Sequence, residues 1–274
     1  MKQLTMILIG LGALLCTGRA TAQHTLGATG GYGSGNCRLY PVQERRPVWG
    51  CYTGGLSWRY YGPQRILGGF GVDLEFLQRG FSYVPNASAF DDPSKYLWYT
   101  RRVNSLVLPV LWQPHVYLFR NRLRIFIDAA AYFSYNLSAT YVNEPAMTIP
   151  EDQRTSPARG KYRFRNERDN RWGYGLAGGG GIAVLVDRLE FSIRARYYFG
   201  YSDLMRNRNK YANNATDGAE NPFSQTPLRS PLDNLTVSVG IAYRFNRRGF
   251  AEWEHQRVKR EKHKESFNYK QPKK

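Results

Sequence analysis

Residues 234–246 read Asn-Leu-Thr-Val-Ser-Val-Gly-Ile-Ala-Tyr-Arg-Phe-Asn, and side chains of two kinds alternate along the whole stretch. Leu235, Val237, Val239, Ile241, Tyr243 and Phe245 share one face. Thr236, Ser238, Gly240, Ala242, Arg244 and Asn246 share the other. Period two is the pattern of a strand whose two faces meet different surroundings. A soluble half-buried strand is usually about 5–6 residues long. A strand crossing an outer membrane needs about 9–11, apolar towards lipid and polar towards a lumen. The length points to a membrane barrel, with a long sandwich strand as the alternative.

Seven further segments carry the same alternation: a weak, Gly-rich one at residues 25–33, then 48–60, 65–83, 98–113, 122–142, 172–186 and 188–203. In the second, Val48, Tyr52, Leu56, Trp58 and Tyr60 oppose Thr53, Ser57 and Arg59. In the seventh, Leu189, Phe191, Ile193, Tyr197 and Phe199 oppose Glu190, Ser192, Arg194 and Arg196. The connections alternate in length. Those after segments one, three, five and seven are long (residues 34–47, 84–97, 143–171 and 204–234). Those after two, four and six are tight (61–64, 114–121 and Asp187 alone). A sandwich has no reason to alternate this way, whereas an up-and-down barrel with short periplasmic turns and longer outer loops does. Aromatic residues gather at both strand ends, Trp49, Trp98, Trp172 and Tyr201 on one side and Trp58, Tyr60, Trp112 and Phe245 on the other, as interfacial girdles require. The predicted fold is an all-β, eight-stranded antiparallel up-and-down transmembrane β-barrel, and the even strand count places both termini in the periplasm.

The barrel domain, residues 23–246, is bracketed by two segments of other kinds. Residues 1–22 have a signal-peptide pattern: Lys2, an apolar run over residues 6–15, and Ala20-Thr21-Ala22 as a cleavage site. The run is too short to span a bilayer as a helix. Cys16 follows Leu15, where lipidation needs a small residue. Residues 247–274 hold ten Lys or Arg against four Glu. They read as a basic, disordered periplasmic tail, with a weak helical stripe of Phe250, Trp253 and Val258 as the alternative. Export past an oxidising compartment permits Cys37 and Cys51 to pair across the first loop, the alternative being two small unpaired hydrophobes. Two cysteines at that spacing are no metal site.

The net charge of +18 could signal nucleic acid, but an exported chain meets lipopolysaccharide, membrane lipid or peptidoglycan instead. Arg59, Asp73, Glu75, Arg79, Arg124, Asp128, Glu190, Arg194, Arg196 and Arg244 fall on lumen-facing positions. An ion path and a packed salt-bridge plug compete as readings. An eight-stranded barrel is only wide enough to be filled by its own side chains, and buried charges must pair, so the plug is favoured. Residues 173–178 match G-x-G-x-x-G, but strand pattern continues to Val186 where a dinucleotide site needs a helix. The glycines are read as relief for curvature or a bulky lumen neighbour. A hydrolytic site needs a base beside a nucleophile. The four histidines, His24, His115, His255 and His263, lie at the mature N-terminus, near a turn and in the tail. No catalytic residue, cofactor or metal ligand is assigned.

The segment Asn104-Ser-Leu-Val-Leu-Pro-Val-Leu-Trp112 and the Gly-rich 174–181 stretch followed by Arg196-Tyr197-Tyr198-Phe199-Gly200 resemble the PorT-like outer-membrane β-barrel family of Bacteroidota. The family's usual Glu in the fourth strand is Val107 here, and the basic tail beyond Phe245 is a departure. The resemblance implies an outer-membrane location and a non-enzymatic structural or accessory role, extending to support of type IX protein export with secretion-machinery proteins met through the tail. The alternative is a surface binding protein or adhesin acting through residues 143–171 and 204–234.

Overall fold

The computed structural model describes residues 23–40, 45–61, 68–83, 97–119, 122–145, 158–166, 169–206 and 229–245. The signal-peptide and tail assignments lie outside the described residues. The elements, in order, are β1 (Gln23–Cys37), β2 (Arg45–Arg46), β3 (Val48–Tyr61), β4 (Gly69–Tyr83), β5 (Leu97–Gln113), β6 (His115–Leu118), β7 (Leu123–Pro145), β8 (Ala158–Tyr162), β9 (Trp172–Val186), β10 (Leu189–Gly200) and β11 (Leu232–Arg244). Eight long strands pair antiparallel in the order β4-β3-β1-β11-β10-β9-β7-β5, and a β4–β5 ladder closes the ring. Closure leaves these eight strands with no free edge, the condition a sheet must meet in a bilayer. The opening of β1 and the end of β11 lie together, Thr25 facing Arg244, beside the Asp187-Arg188 turn. This is the turn end; the long connections leave from the loop end.

The alternation read in residues 234–246 is realised as two environments. Leu235, Val237, Val239, Ile241 and Tyr243 are exposed on the outer wall, while Thr236 and Ser238 are buried inside. The same exposed apolar wall runs round the barrel through Leu106, Ile127, Leu176 and Ile193. Trp49, Trp172 and Tyr201 are exposed at the loop end, and Trp112 and Phe245 at the turn end. Side chains that a soluble protein would bury face outwards here because lipid is their solvent.

Two bulges break the parity. Gly33 faces Cys51 but Ser34 faces Trp49, leaving Gly50 as an extra residue with φ 73°. That left-handed conformation suits glycine. Val48, expected on the lipid face with Tyr52 and Leu56, is consequently turned inwards and buried. On β7, Leu137 is the extra residue opposite Asn104 and Ser105, so Ala139 faces inwards beyond it. Pro109 has no N–H to give, and the β4–β5 ladder skips Asp73 and Leu74, in register with Pro109 and Leu108.

Three connections differ from expectation. The sixth-to-seventh turn is the pair Asp187-Arg188, with Asp187 at φ 51°. Pro114 interrupts rather than ends the fourth strand, since β6 resumes pairing with Leu123–Phe126 beyond it. β8, inside the 143–171 loop, pairs with β7 from Ala139 to Asn143 and prolongs the sheet past the barrel mouth.

The expected Cys37–Cys51 disulfide is not formed: both are buried free thiols. Cys51 lies opposite Gly33, four residues along β1 from Cys37. At about 3.4 Å per residue their Cα atoms sit roughly 14 Å apart along the strand, beyond the ~7 Å Cα limit for a bridge.

Candidate functional site

The lumen is filled in layers. At its centre, two strands, β4 and β7, supply carboxylates and two, β3 and β10, supply arginines. Inward parity on β4 presents Asp73 and Glu75, on β7 Asp128, on β10 Arg194 and Arg196, and on β3 Arg59. Arg196, 1% exposed, reaches Asp128 at 2.8 Å, Asp73 at 3.0 Å and Glu75 at 3.1 Å. Arg194 reaches Glu75 at 2.8 Å and Asp73 at 3.2 Å. Arg59 bonds Asp73 through both terminal nitrogens, Nη2 at 3.0 Å. Three carboxylates thus share three guanidinium groups. Tyr198 donates to Glu75, and Gln113 Nε2 donates to Asp128 Oδ1 at 2.8 Å. Closer to the turn end, Arg124 and Glu190 form a separate buried pair, with Tyr61 under the Arg124 guanidinium at 4.3 Å.

The Gly-rich β9 is the wall that admits these side chains. A Cβ at Gly179 would meet the Arg196 backbone at 2.9 Å, and one at Gly181 would meet the Phe126 ring at 2.7 Å. No helix follows this strand; it runs on to Val186. Its glycines serve packing rather than phosphate binding.

Of the ten lumen charges read from the sequence, eight are therefore paired. Arg79 and Arg244 are not part of the network. Arg244 is half-buried at the turn end, where its Nη2 donates to the Gln23 side-chain oxygen at 2.7 Å once that amide is assigned with its oxygen towards the guanidinium, and Nη1 faces the Asp187 carbonyl at 3.5 Å. Arg79 is buried over the Tyr132 ring at 5.1 Å and makes no ion pair among the described residues. The sequence reading missed Tyr198 and Gln113. Tyr198 lies two residues from Arg196 on the same parity, so the signal was present; Gln113 shares inward parity with Leu111.

The loop end is capped by chain rather than open. Arg38 N–H donates to the Pro231 carbonyl at 3.0 Å, Tyr40 pairs with Arg229, Asp203 with Pro231, and Asp169 with Met205. Leu39, Leu204, Met205 and Leu232 are buried beneath, against Phe81 and Val103. Arg101, 1% exposed, stacks on Tyr162 at 3.4 Å and pairs with Asp169 at 3.4 Å. Nothing in the sequence pattern signalled this pair, because Asp169 comes from within a long connection. Around the cap, cationic and aromatic residues adjoin: Arg46 stacks on Trp98 at 4.6 Å, and Arg102 Nη2 donates to the Trp49 carbonyl at 3.2 Å. His24 and His115 lie at the turn end, in ring contact with Tyr60 at 5.2 Å and Tyr61 at 5.1 Å respectively.

A closed barrel with a lipid-facing wall, two aromatic girdles and a charge-filled interior defines a small integral protein of an outer membrane. Residues 22–206 match the family model of the outer membrane protein beta-barrel domain, and the chain belongs to that family. Among solved structures it is similar to Neisserial surface protein A (8% identity, 81% of this chain and 97% of that one, TM-score 0.40). It is also similar to the attachment invasion locus protein Ail of Yersinia pestis (14% identity, 82% and 100%, TM-score 0.34). OprG from Pseudomonas aeruginosa is a third such structure (11% identity, 83% and 97%, TM-score 0.41). No curated protein matches the chain at a significant level.

Proposed function

We propose that this protein is a non-conducting, non-enzymatic structural or accessory component of the outer membrane, acting through its two aqueous faces rather than through its lumen. The filled lumen is the observation that carries this reading: Asp73, Glu75 and Asp128 are locked to Arg59, Arg194 and Arg196, and an eight-stranded barrel has no width to spare around them. In the proposed orientation the turn end and both termini face the periplasm and the capped loop end faces outwards. There the arginines beside Trp49 and Trp98 suit the phosphates of lipopolysaccharide, and the outer wall suits lipid tails. The basic tail is the proposed contact for secretion-machinery proteins, a reading that rests on the PorT-like resemblance.

The test compares the secreted and surface proteomes of strains carrying the full chain, the chain lacking residues 247–274, and no gene. Loss of exported cargo in both mutants supports the export role. An unchanged proteome in the null strain overturns it. Loss of surface binding when the 143–171 and 204–234 loops are replaced by short turns, with cargo unaffected, supports the adhesin reading instead.

A further inference from the structure

The 143–171 connection carries an alternation of its own, unlike that of the barrel wall. From Arg159 to Arg165 the sequence reads Arg-Gly-Lys-Tyr-Arg-Phe-Arg. The four cations Arg159, Lys161, Arg163 and Arg165 are exposed, and Gly160, Tyr162 and Phe164 between them are partly buried. The inner face is anchored. Tyr162 and Phe164 pack against the buried cluster of the cap, Tyr162 Oη donates to Asp169 at 2.8 Å, and Arg101 stacks on the Tyr162 ring. These contacts fix which way the segment faces, so the cations are held outwards as a ladder with about 6.8 Å between rungs. None of the four makes an ion pair among the described residues. The residues opposite Arg159 and Lys161 on β7, Val142 and Thr140, are neutral. Like charges side by side on one face of a sheet destabilise it, and an anion lying along the ladder removes that repulsion.

The height of the ladder on the barrel selects the anion. Lys161 lies opposite Thr140, and Thr140 opposite Arg102, so the three form one row across β8, β7 and β5 on the outer face. One row nearer the barrel, Asn104 Nδ2 donates to Ser138 Oγ at 3.0 Å. Below that the wall turns apolar at Leu106 and Leu137, both exposed to lipid. From Leu106 to Arg102 the outer face passes from apolar to polar to cationic in about 14 Å of strand. That is the depth at which the hydrocarbon gives way to headgroups, a layer only a few ångströms thick on each side of a bilayer. Guanidinium and ammonium groups at this depth meet headgroup phosphates, which Arg takes by paired N–H donors and Lys as a point charge.

We infer that the Arg159–Arg165 ladder is a seat for the phosphorylated headgroup of an outer-leaflet glycolipid of the lipopolysaccharide kind. The seat depends on the outward orientation of the loop end proposed above, and it carries the lipid contact from Arg102 across β7 to β8. The full chain in detergent micelles is titrated with purified lipopolysaccharide and with the same material after enzymatic dephosphorylation. In Arg159→Gln/Lys161→Gln/Arg163→Gln/Arg165→Gln, changed only at exposed positions, the dissociation constant for lipopolysaccharide is expected to rise about tenfold or more, each cation near an anionic surface contributing up to about fivefold. The tail variant Lys264→Gln/Lys270→Gln/Lys273→Gln/Lys274→Gln, with the same net charge, is expected to bind as the native chain does. Dephosphorylation is expected to abolish the difference between the ladder variant and the native chain. Equal affinity of those two for intact lipopolysaccharide overturns the seat, and so does an equal loss in the tail variant. Ladder-dependent binding of heparin with lipopolysaccharide binding unchanged overturns it in favour of a soluble polyanion. Orientation is read separately, by a membrane-impermeant maleimide on intact cells carrying Arg159→Cys, since Cys37 and Cys51 are buried. Labelling together with unchanged lipopolysaccharide affinity overturns the seat alone. Failure to label overturns the outward orientation itself, and the seat with it.

Discussion

Replacing Arg196 with methionine tests the lumen network where it is most concentrated. Arg196 is 1% exposed and lies within 3.1 Å of Asp128, Asp73 and Glu75. Methionine keeps much of the bulk and removes the charge, leaving three carboxylates facing Arg59 and Arg194. Breaking a buried ion pair from one side costs about 3–5 kcal/mol, because the remaining charge has lost its partner but not its burial. A cost of about that size is expected for Arg196→Met in reversible urea unfolding of the barrel in lipid vesicles, followed by tryptophan fluorescence. The double variant Arg196→Met/Asp128→Asn restores charge balance, two acids to two arginines, and keeps an oxygen for Gln113. It is therefore expected to be more stable than Arg196→Met alone, giving a coupling energy well outside the additive range for independent sites. A single-variant loss below about 1 kcal/mol, or strict additivity in the double, refutes the reasoning that these charges are held as a dry, mutually dependent set.

Two other predictions concern the wall and the thiols. Val239→Arg, mid-strand on the lipid-facing side of β11 where Val239 is 61% exposed, is expected to lose about 2–4 kcal/mol in the same vesicle assay; no loss there means the face does not meet lipid. Cys37 and Cys51, as separated buried thiols, are expected to give identical gel mobility with and without reductant, and to react with maleimide only after unfolding; a reductant-sensitive band contradicts the strand register.

The eight strands and their inward and outward faces could be read from residues because a barrel in lipid imposes period two on every strand, and residues 234–246 or 188–199 carry that period without interruption. The even spacing of long and short connections then gave the closure. Local reversals were less legible. Gly50 adds one residue to β3, and a single extra residue moves every side chain beyond it to the other face, which is how Val48 came inside. One glycine among many gives no warning of a left-handed φ. The same holds for Leu137, an ordinary apolar residue whose role as a bulge is set by the register of β5. In the lumen, parity identified which charges point inwards but not which of them meet. Arg79 and Arg194 look alike in sequence; only the positions of β10 and β4 across the lumen give Arg194 three carboxylates and Arg79 none among the described residues. The loop-end cap had no signal of its own, because Arg101 and Asp169 are 68 residues apart and meet only once the loops have folded over the mouth.

Ion conductance tests the central claim most directly. The full chain, verified as folded by a boiling-dependent shift in gel migration, is inserted into a planar lipid bilayer and current is recorded under voltage. A lumen filled by Asp73, Glu75, Asp128 and their arginines, beneath a cap of Leu39, Leu204 and Met205, predicts a flat trace with no unitary steps. Stable, reproducible conductance steps from the folded protein contradict it and return the lumen charges to the role of an ion path.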